Sequence, residues 1–216
     1  MTVTTTSQLG YRDLPALLTR LTGDEKHDRS SLSTLDVLWV VYDRVLGEDD
    51  RFLLSKGHGP AAYYAVLAAK GMVRLELLDG FGGFDSPLGY HPDRVLVPGV
   101  ELSSGSLGHG LGVAVGVALT RRRVWCLVGD AELEEGSNWE AVQYAGRLGL
   151  ASLTAIVIDN DSSSYGWQEG IERRFMLEGW TAVRVDGRDH EALEAALSPA
   201  PDAARPRCVV AEVEPR

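Results

Sequence analysis

The sequence predicts a doubly wound α/β domain, with a mostly parallel sheet and helices on both faces. Residues 124–128 and 153–158 form continuous apolar runs rich in β-branched side chains, which are typical of strands covered on both faces. The segment between them opens like a helix, so the order strand, loop, helix, strand predicts a right-handed parallel crossover. The length of 216 residues suits one such domain, which can bury a continuous core without disulfides.

The first third of the chain predicts two helices and one strand. Residues 32–46 have the apolar spacing of an amphipathic helix, and Ser30 and Ser31 are candidate N-caps. Residues 51–54 predict a short strand. Residues 60–70 predict a second helix, because a proline stands at its start and a glycine follows its end. Residues 81–101 are rich in Gly, Pro and Asp and predict a long ordered loop.

Glycines recur at every fourth residue in the predicted buried helix at 107–119. Gly108, Gly112 and Gly116 would share one helix face, where another backbone could approach closely. This pattern fits either ordinary core packing, which is the more common case, or a subunit interface.

The remaining elements complete the predicted sheet. Residues 137–140 read as a capping box that opens a helix, and Gly149 lies near the end of that helix. A strand at 182–185, a helix at 191–197 and a strand at 208–213 follow. We expect a flexible tail at 1–10 and a single domain at 11–216.

Composition excludes several classes of function. The formal net charge of −10 disfavours a nucleic-acid surface, which needs clustered Lys and Arg. No segment approaches the apolar length of a membrane span, and the N-terminus lacks an export signal. The two cysteines stand in apolar runs and are expected to be buried free thiols. These features together predict a cytoplasmic protein.

Polar side chains follow two neighbouring strands of the predicted sheet. Asp130 comes directly after the run at 124–128, and Asn160 follows the run at 153–158. Ligands of such sheets bind outside the carboxyl ends of the strands, so both oxygens, with a backbone carbonyl near Ser162, predict a magnesium or calcium site that holds a diphosphate. Taken singly, Asp130 and Asn160 also fit ordinary turn positions.

Two further loops carry candidate phosphate contacts. His58 stands just before a predicted helix, where an imidazole and backbone N–H groups could contact phosphate, although a turn histidine is an equal alternative. The glycines of residues 105–110 have the spacing G-x-x-G-x-G, which departs from the dinucleotide-binding pattern.

Five motifs occur together in the order and spacing found in transketolases. They are Ser55-Lys-Gly-His-Gly59, His91-Pro-Asp93, Ser104-Gly-Ser-Leu-Gly108, Gly129-Asp-Ala131 through Glu140, and Asp159-Asn160. From about His27 to its end, the sequence resembles the thiamine-diphosphate-binding N-terminal half of that family. The resemblance implies a thiamine-diphosphate-binding fold, a transferase activity, and thiamine diphosphate anchored by Mg²⁺ or Ca²⁺.

The resemblance also implies roles for individual residues. Asp130, Asn160 and the main-chain oxygen of Ser162 would bind the metal. His58, His91 and His27 would be the catalytic residues that orient substrate hydroxyls and move protons. Glu135 and Glu140 match acidic residues of the family's subunit interface. The residues that the resemblance places against the cofactor are His58, Gly105, Ser106, Leu107, Gly129, Asp130, Ala131, Glu132 and Asn160.

The sequence departs from the family pattern at several positions. The usual Gly-Asp-Gly has Ala131 in third place, which puts a β-carbon where the backbone approaches the diphosphate. The stretch at 26–29 lacks the family's Gly-His-Pro-Gly, and Ser106 and His109 replace a proline and a glutamine. These changes predict an altered donor or acceptor preference.

The chain does not include the pyrimidine-binding domain, whose glutamate activates the cofactor's aminopyrimidine. It also ends near 213, where the family continues into another phosphate-side segment. The resemblance therefore implies a split transketolase, in which this chain and a separate pyrimidine-binding subunit form a heterotetramer or similar assembly.

Two alternatives remain open. Another thiamine-diphosphate-dependent carboligase or decarboxylase component would use the same cofactor, although residues 55–58 and 106–108 favour a transketolase over the first component of an oxo-acid dehydrogenase. A non-catalytic remnant that binds only a partner would account for Ala131 and the short C-terminal end.

Overall fold

The computed structural model describes residues 9–23, 28–199 and 203–214 and contains a five-stranded parallel sheet. The strands are β1 Arg51–Leu54, β2 Val124–Gly129, β3 Leu153–Asp159, β4 Thr181–Asp186 and β5 Arg207–Glu212. Their order is β1-β2-β3-β5-β4, and every neighbouring pair is parallel. The predicted fold class, and the pairing of β2 with β3, are confirmed.

Helices cover both faces of the sheet. They are α1 Leu14–Leu18, α2 Asp28–Leu32, α3 Leu35–Val40, α4 Ala61–Ala69, α5 Gly110–Ala118, α6 Gly136–Leu148, α7 Ile171–Leu177 and α8 His190–Leu197. One apolar core includes residues of α1, α3, α4 and α8, and the other includes residues of α5, α6 and α7. Strand β3 contributes Ile156 to the first core and Val157 to the second, as expected for a strand covered on both faces.

The helix predicted at 32–46 is interrupted. Helix α2 ends before Ser33, α3 begins after Thr34, and a π-helical segment follows at Val41–Val45. The hydroxyls of Ser33 and Thr34 donate to backbone carbonyls three residues earlier, at 2.7 and 2.6 Å, and such local bonds compete with a continuing helix. All six residues of α3 are buried, so the amphipathic assignment fails for this part of the predicted range, whereas Asp43 and Arg44 in the following segment are exposed.

The predicted N-caps Ser30 and Ser31 have another role. Both lie inside α2, and both connect it to the segment that follows β1. Lys56 Nζ donates to Ser30 O at 2.8 Å, and the amide of Ala62 donates to Ser31 Oγ at 2.7 Å. These two serines thus join two elements of the fold and do not start a helix.

The other predicted elements agree closely with the structure, and two helices were missed. The strands at 51–54, 182–185 and 208–213 and the helices at 60–70 and 191–197 are present within one or two residues. Residues 81–101, all of which the structure describes, contain no helix or strand. The sequence interpretation did not include α1 and α7.

The glycine face of α5 is open. Apart from the adjoining residues and the backbone of α5 itself, no atom of the described residues lies within 4 Å of the position that a β-carbon would take at Gly112 or Gly116, and Val113 is 45% exposed. Among the described residues, no other element closely approaches these two glycines, so core packing does not explain them and the subunit interface stays a prediction. The helix is buried on one face only. Gly108 lies before the helix with φ of +81°, and a β-carbon there would lie 2.6 Å from Cβ of Glu135.

The start of α6 differs from the predicted capping box, whereas its end agrees. Glu135 is the N-cap, and Ser137 lies inside the helix and donates to Gly108 O at 2.9 Å. The predicted cap is replaced by a bond to the preceding loop. Gly149 ends the helix in the left-handed conformation with φ of +59°, as glycine readily does.

Cys126 and Cys208 are buried free thiols, as expected, and burial raises the pKa of each well above its ordinary value. Within the described ranges, no helix is long and apolar enough to span a membrane.

A buried carboxylate in α3 connects it to two distant segments. Asp36 accepts hydrogen bonds from Tyr11 Oη at 2.5 Å and Arg188 Nη1 at 2.6 Å, and His190 Nε2 lies 2.7 Å away. Burial by itself would raise the pKa of Asp36, but these hydrogen bonds outweigh it and hold the pKa below its ordinary value.

Replacing Asp36 with asparagine should lower the free energy of unfolding by about 2 kcal/mol at pH 7. Because the pKa of Asp36 is lower in the folded chain than its ordinary value, ionised Asp36 stabilises the fold at pH values above that ordinary value. This stabilisation is lost as the pH falls through the folded-state pKa. The difference from wild type should thus shrink below about pH 4. Urea unfolding at several pH values measures both effects. D79N is the control, because Asp79 forms an exposed ion pair with Arg20. Equal stability of D36N and wild type at pH 7 would contradict the assignment.

Candidate cofactor and metal site

Asp130 and Asn160 meet at the carboxyl edge of the sheet. They directly follow β2 and β3, and the amide of Asp130 donates to Ile158 O at 2.9 Å. Asp130 is fully buried, and Asn160 is 1% exposed. The parallel pairing of the two strands therefore places the two predicted metal ligands at one edge.

The carboxylate of Asp130 holds the loop that follows β3. Its Oδ2 accepts the amides of Ser162 at 2.6 Å and Ser163 at 3.0 Å, and its Oδ1 accepts the hydroxyl of Ser162. An ionised carboxylate offers about four acceptor positions, so three donors still leave capacity for a cation. The predicted ligands Asp130 and Ser162 are thus in direct contact.

Asn160 carries unused hydrogen-bonding capacity. Neither its Oδ1 nor its Nδ2 has a hydrogen-bond partner among the described residues, although both atoms are buried. Unsatisfied buried polar atoms are rare because each costs about 1–3 kcal/mol. An amide oxygen at the same sheet edge as a carboxylate suits a hard divalent cation, which would satisfy it. The residues present therefore fit the predicted metal.

A metal at this edge would depend on amide and main-chain oxygens as well as one carboxylate. The part of the chain that the structure describes holds no group of three or more His, Cys, Asp or Glu side chains able to bind a metal. Mixed oxygen ligands of this kind are typical of magnesium and calcium sites.

Glu132 joins three of the sequence motifs. Its buried carboxylate accepts Ser55 Oγ at 2.5 Å, the amide of Gly108 at 2.9 Å and the amide of Gly129 at 3.2 Å. Burial raises the pKa of Glu132 above its ordinary value. Ser55 Oγ in turn accepts the amide of Gly110 at 3.0 Å. Glu132 was predicted to contact the cofactor, and in the structure its carboxylate holds the loops together.

Two predicted catalytic histidines lie next to each other. The ring centroids of His58 and His91 are 5.6 Å apart, and both residues are exposed. Two glycines let their loops approach: a β-carbon at Gly105 would lie 3.1 Å from Cδ2 of His91, and one at Gly57 would lie 2.9 Å from the amide nitrogen of Gly105. His27, the third predicted catalytic residue, lies outside the described residues.

Most of the remaining residues that were predicted to contact the cofactor are at least partly exposed to solvent. Ser106 and Leu107 are exposed, and Ala131 is half-buried directly after Asp130. At Gly129, a β-carbon would lie 3.3 Å from Cδ of Lys56, so the lysine stem packs over the end of β2. Lys56 belongs to a motif that the sequence singled out, but its packing role was missed.

The predicted interface residues Glu135 and Glu140 are both exposed. Trp139, the neighbour of Glu140, packs against the chain itself, because its ring centroid lies 5.6 Å from that of Phe175 and its Nε1 donates to Leu133 O at 2.7 Å. Several large apolar side chains near α5 and α6 are about half exposed: Leu107, Val113, Leu119, Tyr144 and Leu148.

Residues 42–213 match the family model described as transketolase, thiamine diphosphate binding domain. The chain is 34% identical to a protein of Actinobacillus succinogenes that is named as one subunit of an apulose-4-phosphate transketolase, over 86% of this chain and 75% of that protein. It resembles the solved transketolase from Leishmania mexicana with a TM-score of 0.77 and 26% identity, over 95% of this chain. The match spans only 37% of that transketolase.

A more similar relative carries a different name. The chain is 53% identical to "Ferredoxin fas2" of Rhodococcoides fascians, over 89% of this chain and 68% of that protein. Ferredoxin clusters are held by four cysteine thiolates, whereas this chain has two cysteines, both buried. The site residues described above contain no cysteine, so they offer no thiolate ligand for an iron–sulfur cluster.

Proposed function

Because the chain belongs to the transketolase family, as its thiamine diphosphate binding domain, we propose that it is one subunit of a split transketolase. Together with a pyrimidine-binding subunit, it would transfer a two-carbon ketol unit from a ketose or ketose phosphate to an aldehyde acceptor. The observation that carries the proposal is the buried amide of Asn160, which has no partner among the described residues and lies at the same carboxyl edge of the sheet as the buried Asp130.

The metal and the diphosphate would be held at the carboxyl edge of the sheet. Asp130, Asn160 and the main-chain oxygen of Ser162 supply hard oxygen ligands for Mg²⁺ or Ca²⁺. A metal held by these ligands would neutralise the diphosphate, which would otherwise meet the negative charge of Asp130. Gly129 and Ala131 flank this aspartate and would contribute backbone next to the diphosphate, while Glu132 fixes the surrounding loops.

When bound, thiamine diphosphate would stabilise the carbanion that forms when a ketose is cleaved. His58 and His91 are exposed, adjacent imidazoles that can orient substrate hydroxyls and exchange protons with them. Gly105, Ser106 and Leu107 would lie along the cofactor, with the exposed apolar side chain of Leu107 near its aminopyrimidine. His27 would join the two histidines in the substrate channel.

The partner subunit would cover the open face of α5. Gly112 and Gly116 leave that face flat, and half-exposed apolar side chains flank it. Relatives named as single subunits of an apulose-4-phosphate transketolase occur in Actinobacillus succinogenes and Phocaeicola vulgatus. We infer a separate pyrimidine-binding chain as the occupant and a heterotetramer as the assembly, with Glu135 and Glu140 at the interface.

Reconstitution tests this function. The chain is mixed with a candidate pyrimidine-binding subunit, thiamine diphosphate and Mg²⁺, and ketol transfer is followed with a panel of ketose phosphate donors and aldose acceptors. We expect turnover only when both chains are present. Release of CO₂ from 2-oxo acids without ketol transfer would indicate a different thiamine-diphosphate enzyme. Absence of metal-dependent cofactor binding by calorimetry would indicate a non-catalytic remnant, which is the alternative that Ala131 suggests.

Replacing Gly116 with glutamate should prevent assembly with the partner. The substitution places a charged side chain in the middle of a flat face that an apolar surface would cover, and we expect binding about 10²-fold weaker. Light scattering coupled to gel filtration measures the complex. A195E is the control, because Ala195 lies on α8, which packs on the opposite face of the sheet. Wild-type assembly of G116E would contradict the proposed interface.

A further inference from the structure

We propose that Glu134 is a positioning residue for the metal site, because it fixes the loop that carries Ser162. This inference rests on the proposed function, since it concerns the metal that would bind Asp130 and Asn160. The sequence interpretation assigned no role to Glu134.

One carboxylate oxygen of Glu134 accepts three donors from this loop. Glu134 ends the 3₁₀ helix Ala131–Glu134, which directly follows Asp130. Its Oε1 accepts Ser163 Oγ at 2.7 Å, the amide of Ser164 at 2.5 Å and the amide of Tyr165 at 3.1 Å. The side chain therefore bridges the segment after β2 and the loop after β3.

Asp130 and Glu134 hold consecutive parts of the same loop. Asp130 accepts the amides of Ser162 and Ser163, and Glu134 accepts donors from Ser163 onward. A cation at Asp130 would draw electron density from that carboxylate and weaken its hydrogen bonds to the loop. The bonds to Glu134 lie outside the proposed ligand set, so they can keep the loop in place when the metal binds.

The loop also contains backbone strain that needs such support. Asp161 has φ of +53°, in the left-handed region that residues other than glycine seldom adopt. Strained conformations persist only where the surrounding structure holds them. Asp161 lies between Asn160 and Ser162, so relaxation at this residue would change the relative positions of two proposed ligands. Glu134 opposes that relaxation from the far side of Ser162.

Two measurements on the full chain test the proposal, and both are possible without a partner because the three proposed oxygen ligands belong to this chain. Hydrogen exchange of the metal-free chain reports the loop directly. In E134A, the amides of Ser164 and Tyr165 lose their acceptor and should exchange about tenfold faster. E134Q keeps one acceptor oxygen and should exchange at a rate closer to wild type. E48A, which removes an exposed carboxylate elsewhere, should match wild type.

Binding of Mn²⁺ in the presence of thiamine diphosphate, measured by electron paramagnetic resonance, reports the metal site. E134A should weaken Mn²⁺ binding about 10- to 100-fold, as is usual when a group that orients a metal ligand is removed. E134Q should restore most of the affinity, and E48A should bind like wild type. The thermal midpoint of the metal-free chain is recorded for each variant. If E134A does not fold, the Mn²⁺ affinity of E134Q is compared with that of wild type instead. A smaller weakening of Mn²⁺ binding is then the expected result.

Three outcomes would overturn the proposal. Wild-type Mn²⁺ affinity in E134A, with faster loop exchange, would make Glu134 a structural clamp without influence on the metal. Unchanged exchange of Ser164 and Tyr165 would show that Glu134 does not hold the loop. Absence of Mn²⁺ binding by wild type would refute the metal assignment of the proposed function itself, and this inference with it. The first two failures leave the proposed function intact.

Discussion

Replacement of Asp130 with alanine should abolish metal-dependent binding of thiamine diphosphate and lower ketol transfer by about 10²-fold or more. Asp130 is the only carboxylate in the proposed ligand set, and its side chain is fully buried at the edge where the diphosphate would lie. Without it, Asn160 and Ser162 would offer the metal only neutral oxygens. The variant also removes the acceptor for the amides of Ser162 and Ser163.

Asp130→Asn separates these two consequences. The amide keeps an acceptor oxygen for the loop but removes the negative charge, so cofactor binding should remain weak while the fold is retained. Calorimetry with Mg²⁺ and thiamine diphosphate measures binding, and D49A, at an exposed turn residue, is the control for loss of a carboxylate. Full cofactor binding or activity in D130A would show that the metal assignment is wrong.

Gly146→Ala should destabilise the chain by about 3 kcal/mol or more. A β-carbon at this position would overlap the carbonyl oxygen of Glu178 and lie 3.2 Å from Cδ1 of Trp180. The obstructing atom belongs to the backbone, so a change of side-chain rotamer cannot relieve the overlap. Trp180 is buried and its Nε1 donates to Val142 O at 2.8 Å, which fixes the turn between α7 and β4 against α6.

Gly112→Ala and Gly116→Ala are the matched controls for Gly146→Ala. They make the same chemical change in the middle of a helix, but at positions with open space around the added methyl group. In the isolated chain each should stabilise by about 0.5–1 kcal/mol, because alanine loses less backbone entropy than glycine in a helix. Urea unfolding compares the three variants. Equal stability of G146A and G112A would contradict the packing of α6 against this turn.

The glycines of α5 and α6 show that a sequence pattern is not enough to predict which helix face is covered by another element. The four-residue repeat of Gly108, Gly112 and Gly116 correctly indicates a shared helix face for the last two. It does not indicate whether another element of the same chain lies opposite that face. A very close backbone approach to a helical glycine occurs instead at Gly146 in α6, which belongs to no repeat and depends on a turn about 30 residues later in the chain.

The candidate site could be predicted only in part, because some of its contacts lie between segments that are distant in the sequence. Asp130 and Asn160 could be placed together because each directly follows a continuous apolar run, and the ends of neighbouring parallel strands meet. The role of Glu134 could not be predicted, because it depends on the path of a serine-rich loop without any periodicity. His58 and His91 were assigned from a resemblance to a family, and their adjacency follows from the close approach of two glycine-containing loops.

Local sequence patterns were enough to establish the fold class, most strands and helices, and the strand ends at which polar ligands stand. These features follow from hydrophobic periodicity and from turn-forming residues, which act between neighbours in the chain. The strand order, the break between α2 and α3, the open face of α5 and the carboxylates that hold the loops became known from the tertiary structure alone. Glu132 contacts Ser55, 77 residues away, and Glu134 contacts Ser163, 29 residues away. Such contacts depend on how whole elements pack, because their energy comes from burial and hydrogen bonding between segments that no local pattern connects.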